Sequence, residues 1–409
     1  MRHILLIFRT VWVLVFPSLV YAGPVSDDLR IAGDGPYVFY QGERVVVKYI
    51  VPRDSGLKVV TQHFSSREAV VLTCSVPETG DRFSFPLLHS IESPPTNYDS
   101  PARALVLSDI EGNFGALKTM LQGAGVVDDQ LNWSYGNGSL ILTGDFFDRG
   151  LRVTECLWLI YKLENEASAA GGRVHFLIGN HEVMNLSGEH TYVRNKYVEN
   201  ARLMEQHYGE CYGAGSELGR WLRSRNAIEK IGDDIFCHGG ISTDMMRTGL
   251  TPAQINEIAR AHYGKEEWEI NDPDARAIFN RKTGVFWYRG VAKRQLAPDT
   301  VKDILSYVGA KKMIIGHTLQ KDVSAFYGGR VICIDLFHEE NMRQGLVKTL
   351  LIEHGEYYII DSRGERHHIY DTGHNYRPEP EKEDGIGQKL QYPREKNSEP
   401  CGNSPGDGQ

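Results

Sequence analysis

The chain has 409 residues, of which 41% are hydrophobic, 24% charged and 10% aromatic, and its net charge is −8. These values exclude a wholly disordered or collagen-like chain, allow two or three domains, and offer no global basic field that would point to nucleic acid. Six cysteines are too sparse for a disulfide scaffold.

The chain opens with Met1, Arg2 and His3, then Arg9, an apolar stretch over residues 11–20, and Tyr21-Ala22-Gly23. A basic start, an apolar middle and small residues before a candidate cleavage point read as an export signal over residues 1–22. The run over residues 4–20 contains Arg9 and Pro17 and is short for a span of about 20 residues, so cleavage is expected rather than anchoring. The expected location is periplasmic or secreted, with no membrane association after cleavage. Cys237 and Cys333 lie in apolar runs and read as buried thiols, whereas Cys74, Cys156, Cys211 and Cys401 carry no pairing signal.

Residues 23–97 read as a small antiparallel β-rich domain plus a linker. Residues 37–40, 45–51 and 69–72 are β-branched or aromatic runs punctuated by Gly, Pro, Asp and Ser, and Ser93-Pro94-Pro95-Thr96-Asn97 is the linker. Over residues 98–374 short apolar runs alternate with helical periods. Cys156, Leu157, Leu159, Ile160 and Leu163 share one broad face, and Gly171-Gly172 stops that helix. The alternation predicts an α/β layer architecture. Residues 347–352 and 357–360, joined around His354-Gly355, predict a closing hairpin. Residues 375–409, rich in Pro, Glu, Lys, Gly and Asn, read as a flexible tail.

Five apolar runs end in residues of one chemical kind. They lead into Ser108-Asp109-Ile110-Glu111-Gly112, Thr143-Gly144-Asp145, Gly179-Asn180-His181-Glu182, His238-Gly239-Gly240 and Gly316-His317-Thr318. In open α/β sheets ligands bind beyond the carboxyl ends of strands, so the five endings predict one shared site. Two divalent cations held close together need a bridging carboxylate and a shell of carboxylates and imidazoles. Asp145 is the natural bridge. Asp109, with Glu111 as a further candidate, would hold the first metal, and Asn180, His238 and His317 the second. His181 can serve as general acid to the leaving group, Asp148 can orient it, and Arg149 offers a fork for phosphate oxygens.

These blocks, in this order, resemble the calcineurin-like metallophosphoesterases and, within them, the phosphoprotein-phosphatase branch. Gly144-Asp145-Phe146-Phe147-Asp148-Arg149-Gly150 and Gly179-Asn180-His181-Glu182 carry the resemblance. Val183-Met184-Asn185-Leu186-Ser187-Gly188, Phe286-Trp287-Tyr288-Arg289-Gly290 and Trp221-Leu222-Arg223 look like the Shewanella-like protein phosphatases. The resemblance implies a β-sandwich of two mixed sheets flanked by helices. It also implies phosphomonoester hydrolysis by a metal-bridging hydroxide without a covalent intermediate, and two divalent ions, manganese or iron and zinc. It makes His181 the leaving-group acid paired with Asp148, and Arg149 and Arg289 phosphate binders. Phosphorylated protein, phosphotyrosine first, or a small phosphomonoester is the implied substrate.

The family's first block reads Asp-x-His, but here it reads Asp109-Ile110-Glu111. The extra carboxylate favours hard cations such as Mn²⁺ or Mg²⁺ and opposes a phosphate dianion. Two other functions fit some of the same blocks: a dinucleoside-polyphosphate hydrolase, and a non-catalytic phosphopeptide-binding relative in which Glu111 has crippled the first metal. No cysteine has an Arg six positions on, and no Gly-x-x-x-x-Gly-Lys-Ser/Thr element is present. The histidines at 190, 367 and 368 read as exposed loop residues. Trp287 and Tyr288 fit core packing and ring stacking equally well, and Asp335 fits a turn or a support for a ligand.

Overall fold

A computed structural model describes residues 33–54 and 56–369. The export-signal and tail readings fall outside these residues, as does Cys401.

The first strands are β1 (Asp34–Gln41), β2 (Arg44–Arg53), β3 (Gly56–Phe64), β4 (Val71–Val76) and β5 (Asp81–Pro86). They form an antiparallel three-stranded sheet and a separate hairpin. The apolar runs mark β1, β2 and β4. β3 escapes a reading by hydrophobic pattern because most of its residues are exposed, Leu57 and Val60 included. It is held by its backbone ladder to β2 rather than by a buried face.

The remaining strands are β6 (Asn97–Tyr98), β7 (Arg103–Leu107), β8 (Ser139–Leu142), β9 (Arg173–Phe176), β10 (Ile228–Ile231), β11 (Asp234–Cys237), β12 (Lys312–Ile315), β13 (Ser324–Phe326), β14 (Val331–Cys333), β15 (Lys348–Glu353), β16 (Glu356–Asp361) and β17 (Arg366–His368). They build two six-stranded mixed sheets, ordered β17-β16-β15-β7-β8-β9 and β13-β14-β12-β11-β10-β6. β7, β8 and β9 run parallel, as do β11, β12 and β14. The expected closing hairpin is β15–β16.

Successive side chains of a strand point to opposite faces. Ala104 and Val106 of β7 therefore join Ile141, Phe236, Ile314 and Ile332 in a layer between the two sheets. Leu105 and Leu107 face outward and join the helices in a second, larger core. This two-sided burial explains why the strands read as continuous apolar runs.

The helix Val153–Ala169 follows the predicted face and covers β9. Its other side receives the N-terminal strands, with Phe85 against Trp158 and Tyr161 at centroid separations of 5.4 and 6.1 Å. Trp158 also donates to the Pro36 carbonyl at 2.7 Å. Truncating such a buried Trp costs about 3–5 kcal/mol. The segment read as a linker is itself tied down: Asn226 donates to the Pro95 carbonyl at 2.9 Å, and Lys230 N–H to the Thr96 carbonyl at 2.8 Å.

Among the described residues Cys74, Cys156, Cys211, Cys237 and Cys333 are buried free thiols. No helix there is long and apolar enough to cross a membrane.

Candidate metal and phosphate site

The parallel strands of both sheets end at one rim. Asp109 lies just beyond β7, Asp145 beyond β8, His238 beyond β11 and His317 beyond β12, while Asn180 and His181 open the helix Asn180–Ser187 beyond β9. Backbone bonds lock the loops together. Asp109 N–H donates to the Gly144 carbonyl at 3.0 Å, and Gly316 N–H to the His238 carbonyl at 2.9 Å. Between the sheets, His317 N–H donates to Asp109 Oδ2 at 3.0 Å, and His238 Nδ1 donates to the Thr143 carbonyl at 2.8 Å.

This convergence distorts the backbone. Of eleven non-glycine residues with positive φ among the described residues, six are site candidates: Asp109, Glu111, Asp145, Asp148, Arg149 and His317. Such conformations cost of order 1–3 kcal/mol each and cluster where function requires them. Glycine is needed where two loops touch. A Cβ on Gly144 would lie 2.5 Å from Gly179 Cα, and one on Gly179 would lie 2.3 Å from Asp145 Oδ1.

Asp145 lies at the centre. Its Oδ2 is 3.1 Å from His238 Nε2 and 3.8 Å from His181 Nε2, and its Oδ1 accepts the His181 N–H at 2.9 Å. Burial would raise its pKa, but the imidazoles of His238 and His181 outweigh burial and hold the carboxyl well below its usual range. Asn180 Oδ1 sits 3.0 Å from the same His238 nitrogen. His317 directs Nε2 to the Trp287 carbonyl at 3.0 Å, which leaves Nδ1 as the acceptor nitrogen, with Arg289 3.4 Å away. Asp145, His238 and His317 thus present ligand atoms within 4.8 Å of one another.

The donor set fits a divalent cation. His238 and His317 each spend one ring nitrogen on a backbone carbonyl, the arrangement that fixes an imidazole for ligation. Asp109 is buried beside them, with Ser108 Oγ on its Oδ2 at 2.5 Å. Burial lifts its carboxyl above the usual range, while His238 pulls the other way.

Glu111 has two associations. Its carboxylate lies within ligand reach of Asp145 and His181, and it forms an ion pair with Arg149. One carboxylate can face the metal site with one oxygen and a guanidinium with the other, which an imidazole cannot do. Arg149 also lies over the Tyr192 ring, 5.5 Å from its centroid. Arg289 donates to the His317 carbonyl and approaches its Nδ1 at 3.4 Å.

His181 Nδ1 donates to Asp148 Oδ2 at 2.6 Å, which leaves Nε2 toward Asp145. Burial opposes its charge, but Asp145 and the hydrogen-bonded Asp148 raise its pKa above the ordinary histidine value.

Several supporting residues carry no motif of their own. Glu182, within a quoted block but without an assigned role, accepts the N–H groups of Asp145, Phe146 and Gly179 at 2.7–2.8 Å. Asn185 donates to both Asp148 oxygens at 3.1 Å and is itself held by Tyr208 at 2.7 Å. Its spacing of four from His181 on one helix was the available signal. Asp335 is buried, and its pKa is pushed well above the carboxylate range by burial and by Asp109. It therefore belongs to the site's charge environment rather than to a surface turn. His190 is half-buried against Tyr208, not exposed, whereas His367 and His368 are exposed but lie on β17 rather than in a loop. Trp287 and Tyr288 are half-buried.

Acidic and imidazole groups that could hold a metal, set just beyond the parallel strands of two packed sheets with a carboxylate-bound imidazole and two guanidinium groups beside them, are the pattern of a metallophosphoesterase. Residues 102–321 match the calcineurin-like phosphoesterase family, and the chain belongs to it. Shewanella-like protein phosphatase 2 of Arabidopsis thaliana is 24% identical over 63% of this chain and 76% of its own length. Shewanella-like protein phosphatase 1 of Plasmodium berghei is 27% identical over 53% of this chain and 61% of its own length. The crystal structure of a cold-active protein tyrosine phosphatase of a psychrophilic Shewanella species is 31% identical. It covers 83% of this chain and 99% of its own, with a TM-score of 0.75.

Proposed function

We propose that this protein is a metal-dependent phosphomonoester hydrolase acting on phosphorylated protein, with phosphotyrosine as the first substrate to test. The observation that carries the reading is the Asp148–His181 pair at 2.6 Å, set beside the Asp145, His238 and His317 cluster.

Asp109, Glu111, Asp145, Asn180, His238 and His317 would hold two divalent cations. A bound divalent cation there supplies Lewis-acid charge on phosphate oxygens and acidifies water. Arg149 and Arg289 bring guanidinium groups that suit phosphate oxygens. Asp148 holds the His181 tautomer with its proton on Nδ1 and favours the imidazolium form. His181 can then give its Nε2 proton to the departing oxygen. The two Shewanella-like phosphatases and the tyrosine phosphatase named above support the substrate class. Export of the mature chain remains part of the proposal.

The test is hydrolysis of p-nitrophenyl phosphate, phosphotyrosine and phosphoserine peptides and a dinucleoside polyphosphate, each with a panel of divalent metals. Chelator-sensitive turnover is expected, and His181→Asn should lower kcat by about 10²–10⁴. No turnover with any metal would leave a phosphopeptide-binding protein. A strong preference for the dinucleotide would replace the phosphatase reading.

A further inference from the structure

The loop that bears Asp148 and Arg149 is held by Lys196, Arg152 and Tyr197, and the two cations are in turn held by the N-terminal segment. Its two functional residues have φ of 69° and 54°, so the loop needs external restraint. Two cations supply part of it. Lys196 Nζ donates to the Leu151 carbonyl at 2.7 Å. Arg152, at the end of the loop, occupies the position before the helix Val153–Ala169, and its N–H donates to the Gly112 carbonyl at 3.0 Å. Tyr197 completes the support: its hydroxyl accepts Val153 N–H at 2.9 Å and reaches the Gly150 carbonyl at 3.4 Å.

Both cations are buried, with side chains only 4% and 6% exposed, so each requires a partner. Those partners come largely from the N-terminal segment. Asp34, wholly buried, lies 3.4 Å from Lys196 and also accepts from Asn200 at 2.7 Å and from Tyr37 at 2.9 Å. Glu78, just beyond β4, accepts from Arg152 Nε at 2.8 Å. The Gly33 carbonyl accepts from the same guanidinium at 3.2 Å, and Glu155 of the helix completes its shell at 2.6 Å.

We propose that the N-terminal β segment is a positioning part of the catalytic site: Asp34 and Glu78, through Lys196 and Arg152, fix the loop that orients the leaving-group acid. The inference rests on the assignment of His181 and Asp148 as that acid pair. None of these four residues touches substrate; they act through the backbone of residues 150–152. Loosening the loop weakens proton delivery, and any loss of phosphate contact through Arg149 is common to all phosphomonoesters and cancels in a ratio of two substrates.

The leaving group therefore provides the readout. p-Nitrophenolate departs without a proton, whereas phenolate needs one. Asp34→Asn in the full chain should lower the ratio of kcat for phenyl phosphate to kcat for p-nitrophenyl phosphate about tenfold, a part of what a general acid contributes. Glu78→Gln, at a side chain 39% exposed, should act in the same direction and keeps the test open if the first variant does not fold. Arg67 provides a control. It joins Glu217 at 2.7 Å across the same seam without touching the loop, so Arg67→Gln should lower the melting temperature and leave the substrate ratio unchanged. Equal losses on both substrates, or a ratio shift as large in the Arg67 variant, would overturn the inference. Inactive wild-type protein would instead defeat the hydrolase reading itself.

Discussion

At the scale of single residues, Glu111 sets this chain apart from the Asp-x-His pattern. It carries a negative charge at a rim that already holds Asp109, Asp145 and Asp335, and it engages Arg149. In the proposed function a phosphate dianion would compete with that carboxylate for the guanidinium. Glu111→His should free Arg149, shift metal preference away from hard cations and raise turnover. Metal titration by calorimetry together with steady-state kinetics checks this, and an unchanged metal profile with unchanged turnover would make the substitution neutral. The residues that could be recognised singly were those with a chemical signature at a strand end. Asp109, Asp145, Asn180, His238 and His317 are of this kind. Asn185 and Ser108 were not, because a supporting side chain is defined by what it touches, and Asp335 fitted either a turn or a supporting role until packing buried it.

At the scale of elements, loops rather than strands make the site, and their supports are titratable. His338 opens the short helix His338–Arg343 beyond β14. Its Nε2 donates to the Ser108 carbonyl at 3.0 Å, next to Asp109, and its Nδ1 has no protein partner. Burial lowers its pKa from the ordinary 6.5 to about 4. The folded state therefore favours the neutral ring. This contribution is constant above the unfolded pKa and is lost as pH falls from 6.5 toward 4, by up to about 1.4 kcal/mol per pH unit. Urea unfolding between pH 7 and pH 4.5 should show that slope. His338→Gln, which keeps a donor for Ser108, should flatten it, and an unaltered slope would assign the acid loss to another group. Element identity was legible where burial imposed a pattern, as in the helix Val153–Ala169 and the hairpin β15–β16. It was not legible in β3, which has little buried face.

At the scale of the whole molecule, two sheets must hold their registers for the rim ligands to meet. A metal bound only by the folded rim stabilises the fold by mass action, about 2.7 kcal/mol at a hundredfold excess over Kd. Removing metal with a chelator should therefore lower the melting temperature of the purified protein and abolish turnover, and added Mn²⁺ should restore both. A melting curve indifferent to chelator and metal would argue against a preformed cation site. The N-terminal segment packs into the same body, since its apolar side chains share the larger core with the helix Val153–Ala169.

The amino-acid order alone determined the local chemistry: which strands end in Asp, Asn or His, where glycine lets loops touch, and which family pattern those blocks follow. These are short-range properties, carried by neighbours in the chain. Only the tertiary structure decided the partners that bring distant residues together. Asp34 meets Lys196, Glu78 meets Arg152, and Glu111 meets Arg149. Such pairings depend on how sheets and helices pack, and no spacing along the chain encodes them directly.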